Sequence, residues 1–187
     1  MGIYFVRHGQ TDWNVAGKLQ GKSDIPLNDV GETQAKETRE KLKDVKIDKI
    51  YCSPLIRAQK TAEIINEGRN LEIHKDDRLM ERCFGRSEGI HREDVDFSNL
   101  WIPSKDTIFD GGEDTISFFQ RVESFLDEII EDAQTSNILV VAHGGVAIPF
   151  QCYFDGYDCV DNLSTLIIAN CEVWHKEGKK LPHMMKI

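Results

Sequence analysis

Short unbroken apolar runs alternate along this chain with longer stretches in which apolar residues return every three or four positions. Residues 2–6 hold Ile3, Tyr4, Phe5 and Val6, the β-branched and aromatic pattern of a buried strand. From Gly9 to Pro26 the breakers Gly17, Gly21 and Asp24 predict a loop. Asn28 or Asp29 is placed to cap a helix running to about Lys43, with Val30, Ala35, Thr38 and Leu42 on its apolar side. Residues 47–52 predict a second strand. Ser53 and Pro54 then open a helix with a capping serine and a first-turn proline, lasting to about Asn66 and stopped by Gly68. A short strand is expected over 71–74.

Residues 90–112 show no period, and so long a structureless connection inside a compact domain predicts a functional lid. Beyond it Ile116, Phe119, Val122, Leu126, Ile129 and Ala133 recur at helical spacing, a strongly amphipathic helix over 116–133. A strand over 138–142 and a helix over 145–153 follow. Two antiparallel strands are expected over 165–169 and 172–175, then a last strand near 183–187 after a turn at Gly178. This alternation predicts an α/β sandwich with a mostly parallel sheet and helices on both faces. The whole chain, 1–187, reads as a single domain with 90–112 as its short lid.

Length and charge narrow the picture. A chain of 187 residues can bury roughly 70% of its extended surface, so a core needs no disulfide or metal to be stable. The formal charge is −9, from 23 Lys and Arg against 32 Asp and Glu, which argues against a nucleic-acid binder. It leaves room for a small anion held by a few arginines in a cleft. The five cysteines are odd in number, form no C-x-x-C pair and follow no signal peptide, so they read as reduced thiols in a cytoplasmic protein, mostly small apolar fillers. No apolar stretch is long enough to span a bilayer.

The chemistry lies where two strands stop. The first apolar run ends in Arg7-His8-Gly9 and the run over 138–142 ends in His143-Gly144-Gly145. In an open parallel sheet the carboxyl ends of the strands form the edge where ligands bind. Two imidazoles there, with Arg7 and with Arg57 one turn into the helix after Ser53-Pro54, suit phosphoryl transfer. That reaction needs an in-line nucleophile, positive donors around the equatorial oxygens and an acid for the leaving group. A guanidinium can grip phosphate with two parallel bonds, which a lysine cannot. His8 is the expected nucleophile, kept neutral by the flanking arginines and able to form a phosphohistidine. His143 would hold a phosphate oxygen from the other side. Glu81 is the expected acid and later base, with Glu88 a nearby competitor. His74, His91, His175 and His183 read as surface histidines, His91 at most as a contact of the lid.

These residues resemble the histidine phosphatase superfamily, which includes the cofactor-dependent phosphoglycerate mutases. The blocks that carry the resemblance are Val6–Asn14, Leu19–Leu27, Ser53–Ala62, Glu81 with Gly85 and Glu88-Gly89, Gly112-Glu113, and Ala142–Gly145. Any one tripeptide is weak evidence; all of them in this order are highly specific. The resemblance implies a three-layer α/β/α, phosphoglycerate mutase-like sandwich and a reaction without metal. It implies catalytic roles for His8, Glu81, His143, Arg7 and Arg57, and adds Asn14, Gln20 and Gly21 around the phosphate, with Gly144 beside His143. Two features depart from relatives. The stretch between Gly89 and Gly112 is short, as in the phosphatase branch rather than the mutases, and Ser87 stands where relatives often have tryptophan.

A zinc site made of His8, His143 and a carboxylate is the rival chemistry. Two guanidiniums in the same pocket would repel a divalent cation, so neither metal nor cofactor is expected. The expected activity is hydrolysis of a small phosphorylated metabolite. A phosphoglycerate mutase and an idle phosphate-binding module are the alternatives. Sugar phosphates, phosphoglycerates, cofactor-precursor esters such as ribazole phosphate, and phosphorylated amino acids are candidate substrates. The sequence does not indicate an oligomeric state.

Overall fold

The computed structural model describes residues 1–96, 100–102, 108–156 and 162–177. Five strands form one sheet: β1 (Gly2–Arg7), β2 (Lys49–Cys52), β3 (Ile73–Lys75), β4 (Asn137–Ala142) and β5 (Val173–Glu177), in the order β3-β2-β4-β1-β5. The four inner pairings are parallel except the last, where β5 runs antiparallel to β1. Among the helices are α1 (Asp12–Val15), α2 (Asp29–Lys41), α3 (Ile56–Asn66), α4 (Thr115–Ile129) and α5 (Ala147–Asp155).

Alternation along the strands divides the core in two. Ile3, Phe5, Ile138 and Val140 face the aromatic side chains of α4 and α5, Phe118, Phe119, Phe125 and Phe150 among them. Val6, Leu139, Val141, Ile50 and Cys52 point the other way, onto Ala58, Ala62 and Ile65 of α3 and onto Leu42 after α2. Both faces of β1 and β4 are therefore buried, which is why their sequences are continuously apolar rather than alternating. The expected sandwich, mostly parallel with helices on both faces, is the fold observed.

Several local expectations differ from the structure. The loop after β1 contains the one-turn helix α1, held by a capping box between Thr11 and Asn14. Val30 is exposed, and Gly31 takes the inward position on α2 beside Ala35 and Thr38. Helix α3 starts at Ile56, not at Pro54: Leu55 takes the cap position, and the Ser53 hydroxyl lies two residues earlier, accepting the Leu55 N–H at 3.3 Å and contacting His143. The Asp24 carboxylate instead accepts the Ile56 backbone N–H at 2.7 Å. Helix α4 ends at Ile129, and Ala133 packs from the short turn that follows. Residues 165–169 are not a strand. Asn162 accepts the Ser164 N–H and turns the chain into one 3₁₀ turn, Leu163–Leu166, so the carbonyl of Ile168 is left to accept from Arg7. The strand expected near 183–187, Gly178 and His183 lie outside the described residues, as does Cys159; Cys52, Cys83, Cys152 and Cys171 are free thiols.

The register positions the site. Arg7 pairs with Ala142 and Cys52 with Val141, so the next residues, His8, His143 and Ser53, leave three adjacent parallel strands at one edge. The His8 N–H donates to Ala142 O at 2.9 Å and the Ser53 N–H to Val141 O at 3.0 Å, which carries the sheet one residue beyond the strands.

Candidate active site

His8 and His143 face each other across β1 and β4 with ring centroids 5.2 Å apart, and both are buried. His8 Nδ1 lies 2.7 Å from the carbonyl of Gly9. Since a carbonyl only accepts, that nitrogen carries the proton and Nε2 is left bare. Burial, with the charges of Arg57 and Arg7, drives the basicity of His8 well below the ordinary imidazole value, so the ring is neutral. The loop under it is locked by Thr61, whose hydroxyl accepts the Gly9 N–H at 3.0 Å while donating to Arg57 O. From the other side Asn170 donates to His8 O at 2.8 Å.

Arg57 is completely buried on α3. Its NH1 and NH2 groups donate to the carbonyls of Ser23 and Gly21, each at 2.8 Å, while Nε has no partner among the described residues. Carbonyls accept hydrogen bonds but cancel no charge. Burial accordingly lowers the guanidinium pKa to about 10. Arg7 is held the same way: NH1 donates to Ile168 O at 2.8 Å, Nε is unpartnered, and burial lowers its pKa. A Cβ on Gly144 would come within 3.2 Å of the Arg7 guanidinium, so glycine leaves that group its room. Two cations, Arg57 fully and Arg7 partly buried, each with a buried Nε–H that has no partner among the described residues, make a site that favours an anion.

Glu81 enters from the loop before α4. Its Oε2 accepts the Gly145 N–H at 2.9 Å and its Oε1 the Arg82 N–H at 2.9 Å. A Cβ on Gly145 would collide with the Glu81 carboxylate and with the Trp101 ring. Arg82, adjacent in sequence, is no surface partner: it is fully buried, with its guanidinium donating to the carbonyls of Glu113 and Leu100. The Glu81 backbone is clamped by Arg121 of α4, which donates to the carbonyls of Arg78, Met80 and Glu81 at 2.6, 2.8 and 3.2 Å. Arg121 is itself fixed by a bidentate pair with Glu113, at 2.6 and 2.9 Å.

The rival carboxylate, Glu88, is fully engaged elsewhere. It accepts from the backbone N–H groups of Lys22, Ser23 and Phe84 and from the Ser23 hydroxyl, at 2.6–3.1 Å. It therefore braces the loop whose carbonyls hold Arg57. Gly21 adopts φ +52°, and a Cβ there would run into the Glu88 carboxylate. Gln20 is buried on the same loop with its amide oxygen unpartnered. Asn14 Oδ1 accepts from Thr11 and from Asn170, leaving its amide N–H groups without a partner among the described residues.

Arg7, Arg57, Glu81 and Gly144 are thus brought beside His8 and His143, Asn14 is linked to His8 through Asn170, and Gln20 and Gly21 lie on the loop whose carbonyls hold Arg57. Sequence reasoning missed Ser53, Thr61, Asn170, Arg121 and Glu113 as supports, because each acts through a contact distant in sequence. Ser53, Thr61 and Glu113 stood in the resembling blocks, which was the available signal. The described parts of the 90–112 segment are docked: Lys18 bridges to His91, Arg92 N–H donates to Gly17 O at 2.8 Å, and Leu100 and Trp101 are in the core. Residues 97–99 and 103–107 of it lie outside the described residues. Among the described residues no group of three or more His, Cys, Asp or Glu side chains is arranged to hold a metal ion. No helix among them is long and apolar enough to cross a membrane.

Comparison with known proteins agrees with this geometry. The chain is 42% identical over 142 residues to a Bacillus subtilis (strain 168) protein named uncharacterized phosphatase PhoE, covering 76% of this chain and 71% of that one. It is 34% identical over 163 residues to phosphoserine phosphatase 1 of Hydrogenobacter thermophilus, covering 83% and 77% respectively. The crystal structure of the alpha-ribazole phosphatase from Shigella flexneri superposes with a TM-score of 0.70 at 35% identity, over 81% of this chain and 78% of that one. The family model for the histidine phosphatase superfamily, branch 1, matches residues 3–179, and the chain belongs to that family.

Proposed function

We propose that this phosphoric monoester hydrolase acts on a small phosphorylated metabolite through a phosphohistidine on His8, with Glu81 as proton donor and water as final acceptor. The observation that carries the reading is the pair of imidazoles 5.2 Å apart, flanked by the guanidiniums of Arg7 and Arg57, whose buried Nε groups have no partner among the described residues. The substrate's phosphoryl oxygens would take hydrogen bonds from Arg7, Arg57, His143 and the free amide of Asn14. That neutralises charge as it moves onto those oxygens in the transition state. Bare Nε2 of His8 attacks phosphorus, the P–O bond to the leaving group breaks, and that oxygen takes its proton from Glu81. The Glu81 carboxylate next removes a proton from water, whose oxygen attacks phosphorus. The P–N bond breaks and phosphate leaves.

The Arg92 turn near the start of the 90–112 segment and Trp101 at its middle would border the leaving group, which is the lid role assigned to that segment. Names of relatives favour phosphoserine-like or ribazole-like esters, two of the classes expected from the sequence. A product assay over phosphorylated metabolites, ranked by kcat/KM, tests the reading. Inorganic phosphate should appear in step with substrate loss, with or without chelator. Isomerisation of phosphoglycerate without phosphate release would favour a mutase, and loss of activity restored by zinc would favour the metal site.

A further inference from the structure

Ser53 was expected to cap a helix and does not; its hydroxyl sits 2.7 Å from His143 Nε2, and both residues are fully buried. We infer that Ser53 is a positioning residue that fixes His143 in the tautomer protonated at Nδ1, so that this ring presents a donor to the bound anion. The inference rests on the reading of His143 as a ligand of the phosphoryl group.

A serine hydroxyl has one hydrogen to give and two lone pairs to receive. The Leu55 backbone N–H, at 3.3 Å, occupies one lone pair. Leu55 N can only donate, so the hydroxyl hydrogen has a single acceptor among the described residues, His143 Nε2. Nε2 must then be bare, and the ring proton must sit on Nδ1. The opposite tautomer would make Ser53 accept twice and leave its own hydrogen buried without an acceptor, an arrangement that folded proteins avoid. The ring is neutral, since burial first, then the charges of Arg57, His8, Arg121 and Arg7, push its basicity well below the ordinary value. One proton must therefore be placed, and Ser53 decides where.

The consequence reaches the anion. Nδ1 of His143 is buried and has no partner among the described residues, on a ring whose centroid lies 5.2 Å from that of His8. Protonated, it would be a donor for an anion bound between the two rings; bare, it would offer phosphoryl oxygens a lone pair and repel them. A neutral imidazole of the wrong tautomer is a known route to large catalytic loss with unchanged geometry.

Nitrogen-15 NMR of the histidine-labelled enzyme tests this, with His143 assigned by its absence from the His143→Asn spectrum. The expected result is a protonated Nδ1 and an unprotonated Nε2 on His143. In Ser53→Ala the tautomers should mix or invert and kcat should fall at least about 10-fold, while Ser53→Thr, which keeps the hydroxyl, restores both. A proton on Nε2 in the unmodified enzyme, or an unchanged tautomer in Ser53→Ala, overturns the inference. Titration with inorganic phosphate separates the two levels. A shift of the Nδ1–H resonance supports the anion contact. An unmoved resonance on the correct tautomer overturns the assignment of His143 as a ligand and leaves the proton placement standing.

Discussion

Arg57, Arg7 and Glu81 show how single side chains are kept available for chemistry. The guanidiniums are anchored by carbonyls rather than carboxylates, so their positive charge is not cancelled by an ion pair, and burial together with that charge keeps His8 neutral. Glu81 is placed through its backbone, by Arg121, whose own charge is matched by Glu113. Replacing Arg121 with lysine keeps the charge and removes the fork that holds three carbonyls. The effect should depend on the leaving group. Alkyl phosphates need a proton donor and should lose about 10-fold or more in kcat/KM. An aryl phosphate with an acidic phenol needs none and should change only a few-fold. Equal losses on both, measured side by side, would show that Arg121 supports the fold at large and not the acid.

At the level of elements, the site is made by strand ends and by one brace. The register between β1 and β4 sets the two histidines side by side, and this much was legible in the sequence because both apolar runs stop at His-Gly. The strands, α2, α4 and the burial of both sheet faces were legible for the same reason: period and apolar content report burial. What was not legible depends on partners far along the chain. Ser53-Pro54 carries every local mark of a helix start, yet the helix begins two residues later, where the Asp24 carboxylate, 32 positions away, accepts the Ile56 N–H. The apolar run at residues 165–169 suits a strand, but the Asn162 cap and the Arg7 bond to Ile168 O give its backbone other partners. Sequence favoured Glu81 over Glu88 as the acid, but what occupies Glu88 was not legible: it accepts four hydrogen bonds, from Lys22, Ser23 and Phe84. Glu88→Ala should therefore loosen the carbonyls that hold Arg57. Steady-state kinetics should show KM for phosphate esters and Ki for inorganic phosphate rising several-fold, with a smaller change in kcat. A loss confined to kcat would return Glu88 to the list of proton donors.

For the whole molecule, burying two neutral imidazoles links stability to pH. His8 and His143 both have folded basicities well below the ordinary value of 6.5. As pH falls below about 6.5 the unfolded chain takes up protons that the folded chain refuses, so stability is present above that pH and lost beneath it. Each ring can contribute a slope of up to about 1.4 kcal/mol per pH unit. Buried or bonded carboxylates such as Glu113, whose pKa is lowered mainly against its burial by Arg121, add their loss only at more acidic pH. Urea unfolding between pH 7 and pH 5 should show this decline, and His143→Asn should reduce its slope by roughly half. An unaltered slope in that variant would mean the imidazole is charged in the folded protein.

The account stands on covalent participation of His8, and rapid quenching with a phosphate ester labelled on phosphorus tests it most directly. The label should appear on His8 within one turnover, stable to base and lost in acid, and should be absent from the His8→Ala enzyme along with activity. Turnover that persists in His8→Ala, or label that settles on another side chain, would contradict it.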